Sequence, residues 1–95
     1  MTVDDLRPQR EAILTIARRH GVTSVKVFGS FARGDAKDGS DLDLLIQAGP
    51  RTSAFFPGRL LADLEEALGR KVDVVEEAGL HPLLRERILH EAVPL

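Results

Sequence analysis

The apolar positions of this chain recur at two different spacings, and the changes between them mark out its elements. Over residues 4–20, Ile13, Ile16, Ala17 and His20 follow the three- and four-residue steps of a helix face. Asp4 and Asp5 suit the first turn, where acidic groups meet the positive end of the helix dipole, and Gly21 suits the stop. Pro8 is compatible only if the regular helix begins close to it. His20 reads as an ordinary helix-end residue. Residues 23–28 then alternate: Val25 and Val27 share one face of a strand, Lys26 and Phe28 the other. Residues 29–35, GSFARGD, read as a turn and a short helix, and residues 36–40 as a loop. Residues 41–47 form a second strand, with Leu42, Leu44 and Ile46 on one face and Asp41 and Asp43 on the other.

Residues 48–57 are rich in turn formers. Helical spacing returns over 58–68, where Leu60, Leu61, Leu64, Ala67 and Leu68 line one side and Gly69 ends the run. Residues 71–76 form a third strand: Val72 and Val74 face one way, and Lys71, Asp73 and Val75 the other. A last helix is expected over 82–92, with Pro82 at its first position. Leu80, Leu84 and Ile88 give it a narrow stripe that Leu83 and Leu89 widen, so part of this apolar surface is expected to stay exposed for a partner.

These elements predict an α/β (α+β) fold: a small mixed sheet of three or four strands with helices on one face and the other face open. The helix between the second and third strands is long enough for a right-handed crossover, so those strands should be parallel neighbours. That places Asp73 beside Asp41 and Asp43 on the open face.

Ninety-five residues make one domain, residues 1–95, with a single core. The formal net charge of −2 supplies no basic field, so direct nucleic-acid binding is not expected. The chain has no cysteine, which excludes disulfides, thiolate zinc sites and a cysteine nucleophile. No apolar run reaches membrane-spanning length, and the first residues do not read as a signal peptide, so the cytoplasm is the expected location.

The chemistry lies in residues 27–43, VFGSFARGDAKDGSDLD. Asp41 and Asp43 project from the same side of a strand, roughly 6–7 Å apart by strand rise. Carboxylates so close repel one another unless a cation lies between them, and a divalent metal is the usual solution. Gly29 and Ser30 offer backbone N–H groups, a hydroxyl and a short helix start, a combination suited to a phosphate. Arg33 is the best cationic candidate for a triphosphate, whereas Lys26 and Lys71 read as solvated strand-end charges. Aspartate is depleted in strands, so three on one face call for a reason beyond solvation.

GSFARG, a spacer, SDLDLLI and then an aspartate within KVDVV resemble the minimal nucleotidyltransferase branch of the polymerase-β-like superfamily. The likeness runs from the first helix to the LHPLLRERILHEAV tail. It implies transfer of a nucleoside monophosphate from ATP or another NTP to a hydroxyl, with two Mg²⁺ ions or Mn²⁺ in their place. It also implies roles: Gly29 and Ser30 on the β- and γ-phosphates, Asp41 and Asp43 bridging both metals, and Asp73 on the metal that activates the acceptor. Larger relatives carry a further domain for the acceptor, and this sequence shows none. Chains of this size resemble the antitoxin of pairs whose toxin is a helical HEPN ribonuclease, with AMP passed to a toxin tyrosine. Two further readings are an antitoxin that neutralises its partner by contact alone, and transfer to a small molecule in a homo-oligomer.

Overall fold

Pro8 decides how the N-terminal helix begins. Proline cannot donate to an α-helical ladder and crowds the preceding turn. In the computed structural model, which describes residues 1–95, Val3–Gln9 accordingly form a 3₁₀ helix. The regular helix α1 runs over Arg10–Arg19. Thr2 and Asp5 close the start with reciprocal side-chain-to-backbone bonds, so Asp5 is a capping partner as well as a dipole charge. The single helix expected over residues 4–20 is thus two, joined where Pro8 forbids continuity.

Strand β1 spans Val22–Phe28, and a four-residue helix α2, Ser30–Arg33, follows at once. Strand β2 spans Leu42–Ala48, helix α3 Gly58–Leu68, and strand β3 Val72–Glu76. Helix α4 covers Pro82–Glu91, and a two-residue strand β4, Val93–Pro94, ends the order. The sheet reads β3-β2-β1-β4. β1 pairs antiparallel with both β2 and β4, and β2 pairs parallel with β3 as the crossover length predicts. β4 completes a fourth strand that alternation could not reveal, because two residues carry no periodicity.

The core forms where the alternating and helical stripes meet. Leu42, Leu44, Ile46, Val27 and Val72 from the sheet pack with Ile13 and Ala17 of α1 and Leu60 and Leu64 of α3, all buried. Phe31 pins the short α2 into this cluster at 1 % exposure. The opposite face, which carries the aspartates, is open at their end. Farther along it Leu45 is buried yet stands outside the main core. α4 carries the chain from the β3 edge to the β4 edge and has no buried residue of its own. Its Leu83 and Leu84 are 82 % and 51 % exposed, as its broad apolar surface implies.

Truncation at the core and at α4 should therefore differ sharply. Leu64→Ala removes a fully buried side chain and should cost about 2–5 kcal/mol, whereas Leu83→Ala should stay within about 0.5 kcal/mol. Urea denaturation of both variants measures the difference.

Candidate active site

Strand register assembles the site. Phe28 lies opposite Asp43 in the β1–β2 ladder, so the turn that leaves β1 at Gly29 stands beside Asp43. Asp43 lies opposite Asp73 in the β2–β3 ladder, which brings the third aspartate alongside. Asp41 immediately precedes β2, and the backbone N–H of Leu42 donates to Lys71 O at 2.9 Å, fixing the chain between Asp41 and Asp43. All three aspartates thus meet at one corner of the sheet, as the parity of their strands predicts.

Gly29 is required there twice over. Its φ of +73° lies where side chains are disfavoured. A Cβ would also overlap Asp43 Oδ2 and sit 3.0 Å from its Cγ. The Gly29 turn and the Asp43 carboxylate are therefore in direct contact. α2 then closes through Arg33 N–H to Gly29 O and Gly34 N–H to Ser30 O, and Gly34 takes the left-handed cap position.

The crowded carboxylates disturb one another. The Asp43 carboxyl is pushed above the usual carboxylate range, first by partial burial and then by the charges of Asp73 and Asp41. Arg33 opposes this shift, and a hydrogen bond with Asp73 adds to it. As placed, no group of three or more acidic or imidazole side chains comes close enough to hold a metal ion. The donor set is nevertheless all oxygen, anionic and mutually repelling, which fits a hard divalent cation drawing the carboxylates together. Asp41, Asp43 and Asp73 are the residues that would hold it.

Arg33 is half exposed, and its guanidinium already meets two carboxylates, Asp35 at 3.4 Å and Glu91 at 3.1 Å. Asp35 foremost, and Glu91 after it, hold it more firmly protonated than an isolated arginine. Glu91 Oε1 also accepts the Gly29 N–H at 2.5 Å. Nothing in the α4 sequence signals this contact, because Glu91 lies 62 residues from Gly29. Ser30, partly buried, stands at the first position of α2 beside this bond.

Arg70 is a second residue that local pattern does not reveal. Its guanidinium donates to Asp38 O at 3.2 Å and Ser40 O at 2.8 Å, and stacks 5.0 Å over the Phe31 ring. It thus ties the loop entering Asp41 to the helix that follows Gly29, three residues ahead of Asp73. Glu65 of α3 accepts the Val72 N–H at 3.0 Å and steadies the start of β3. His20 lies away from these residues: it is buried at the end of α1, bonded to Ser53 and to Asp63 at 2.7 Å. It ends α1 as expected, and it also ties α1 to the loop between β2 and α3 and to α3 itself.

A profile of the nucleotidyltransferase domain matches residues 10–95. The chain belongs to the nucleotidyltransferase domain family. Within this family, a relative from Methanocaldococcus jannaschii, provisionally named a protein adenylyltransferase, is 44 % identical over 84 residues, 88 % of this chain and 90 % of its own length. A solved structure provisionally assigned as a minimal nucleotidyltransferase is 48 % identical, with a TM-score of 0.85 over 100 % of this chain and 97 % of that one. A toxin–antitoxin structure with AMP-PNP shares the fold at 21 % identity, with a TM-score of 0.76 over 88 % of this chain and 69 % of that one. These comparisons make the nucleotidyltransferase an enzyme of known reaction class built on a mixed four-stranded sheet.

The raised Asp43 pKa has a sign that can be tested. A carboxyl whose folded pKa exceeds its unfolded value favours the fold below the unfolded pKa, and that contribution is lost as pH rises through the folded pKa. In metal-free buffer at neutral pH, Asp43→Asn should therefore raise Tm. The gain should shrink as pH falls into the carboxylate range. Scanning calorimetry across pH checks this, and an unchanged Tm at neutral pH would refute it. Arg70→Ala should cost roughly 1–3 kcal/mol, because two carbonyls lose a charged donor, and urea unfolding measures it.

Proposed function

We propose that this chain moves AMP from ATP to a hydroxyl of a partner protein, a tyrosine of a HEPN-type ribonuclease toxin, and so acts in the cytoplasm as its antitoxin. The observation that carries this reading is the contact of Gly29 with Asp43, with Asp73 in register beside it and Asp41 next to it. A phosphate-type turn pressed against a carboxylate cluster suits a phosphoryl centre held between them. The name of the Methanocaldococcus jannaschii relative supports a protein acceptor, and the toxin–antitoxin neighbour with AMP-PNP supports both the nucleotide and the partner.

In this reading the Gly29 N–H, Ser30 and Arg33 hold the triphosphate tail in line with the acceptor. The acceptor oxygen bonds to the α-phosphorus as the bond to pyrophosphate breaks, and Asp73 receives the hydroxyl proton. Asp41, Asp43 and Asp73 would hold divalent ions, Mg²⁺ being the expected species, which when bound would supply charge stabilisation for the attacking and leaving oxygens. The rigid β1–β2–β3 register keeps the phosphate turn and the carboxylates at fixed spacing while the acceptor comes from outside. The competing reading is neutralisation by contact alone, which the exposed Leu83 and Leu84 of α4 would serve.

The decisive assay mixes the chain with ATP, Mg²⁺ and the cognate toxin. The toxin mass should rise by whole AMP units, and label on the chain itself should be slight. Asp73→Asn should keep nucleotide binding and lose about 10²–10⁴-fold in transfer. Wild-type protein should rescue toxin-expressing cells below a one-to-one ratio, and Asp73→Asn should not. Equal rescue by both, with no mass change on the toxin, would establish the contact reading instead.

A further inference from the structure

Glu91 is the one acidic side chain of α4 that reaches the proposed site. A single oxygen, Oε1, accepts from the Gly29 N–H at 2.5 Å and from Arg33 Nη1 at 3.1 Å. These donors come from two different segments, the β1 turn and the end of α2. A backbone N–H and a guanidinium converging on one anionic oxygen is the environment that a phosphate oxygen takes. The Glu91 side chain is 26 % exposed, so it is seated rather than waving in solvent. Its position is set two residues later, where Val93 of β4 pairs with Val27 of β1, the strand that leads to Gly29. α4 before it has no buried residue, so the carboxylate can leave without unpacking a core.

We propose that Glu91 is an internal competitor of the nucleotide's outer phosphates: in the free protein its carboxylate fills their seat, and a ligand with a polyphosphate tail displaces it. This inference rests on the assignment of Gly29 and Arg33 to the triphosphate. A monophosphate, with its phosphorus beside the aspartates, gains nothing by removing Glu91. ATP and pyrophosphate bring several charged oxygens to the same donors and prevail over one carboxylate. Once transfer has cleaved the tail, the returning Glu91 competes with pyrophosphate and favours its release. The device raises the cost of binding ATP and of retaining pyrophosphate, and leaves AMP, which does not reach these donors, as it is.

Calorimetric titration with MgATP, Mg-pyrophosphate and AMP tests it on wild type, Glu91→Gln, Glu91→Ala and Arg33→Ala. Both Glu91 variants should bind ATP and pyrophosphate roughly tenfold more tightly, with AMP unchanged within about twofold. Their ligand-free Tm should fall at the same time, because the fold loses a charge-assisted contact. Lower stability joined to tighter binding is a pairing that a merely structural glutamate would not produce, and Glu91→Gln preserves side-chain shape should the alanine variant unfold. Unchanged or weaker ATP binding in both Glu91 variants, with Arg33→Ala still weakening pyrophosphate, would overturn the role of Glu91 and leave the phosphate assignment standing. No change in any variant, Arg33→Ala included, would overturn the phosphate assignment and this proposal with it.

Discussion

Three like-charged carboxylates held at one corner of a small sheet are the constraint around which this molecule is built. Left to themselves Asp41, Asp43 and Asp73 would separate, since each ionised group disfavours the next. The register of β1, β2 and β3 prevents it. Asp43 cannot move from Asp73 without breaking a parallel ladder, nor from the Gly29 turn without breaking an antiparallel one. The ladders are anchored from the reverse face, where Leu42, Leu44 and Val72 are at most 1 % exposed. Hydrophobic burial on one side of the strands therefore holds electrostatic repulsion in place on the other.

The charges around this corner follow from the same tension. Arg33 partly offsets the aspartates and is itself shared with Asp35 and Glu91. Arg70 spends its donors on the carbonyls of Asp38 and Ser40 and its flat face on Phe31. Its part is to hold the loop and the turn in one frame. The two arginines differ in their partners: Arg33 meets the side-chain carboxylates of Asp35 and Glu91, and Arg70 is bound into the backbone of the scaffold.

Much of this arrangement is legible in the sequence because it rests on periodicity. Alternation in DLDLLIQ and KVDVVE puts the aspartates on one face and the leucines and valines on the other. The helix of residues 58–68, bounded by its own glycine, makes the two strands parallel neighbours. What periodicity does not carry was not legible. β4 is too short to alternate, and Pro8 shifts a helix start without altering the apolar stripe. The bonds from Glu91 to Gly29 and from Arg70 to Ser40 join residues 62 and 30 positions apart, and polar contacts at such range leave no local trace. Gly29 is visible as a glycine, but only the structure shows that Asp43 occupies the space its side chain would need. His20 reads as a helix end and is one, although its ties to Ser53 and Asp63 emerge only from the packing of α1 on α3.

The central claim is that the Gly29 turn and the three aspartates form one site for a divalent metal and a nucleotide. Paramagnetic broadening of backbone amide signals by Mn²⁺ in the presence of ATP tests it most directly, because the effect reports proximity alone. The account predicts that broadening is centred on Gly29, Ser30, residues 41–43 and Asp73, spares the region of His20 and Ser53, and is reversed by excess Mg²⁺. Broadening centred elsewhere, or none at these residues while ATP is bound, would contradict it.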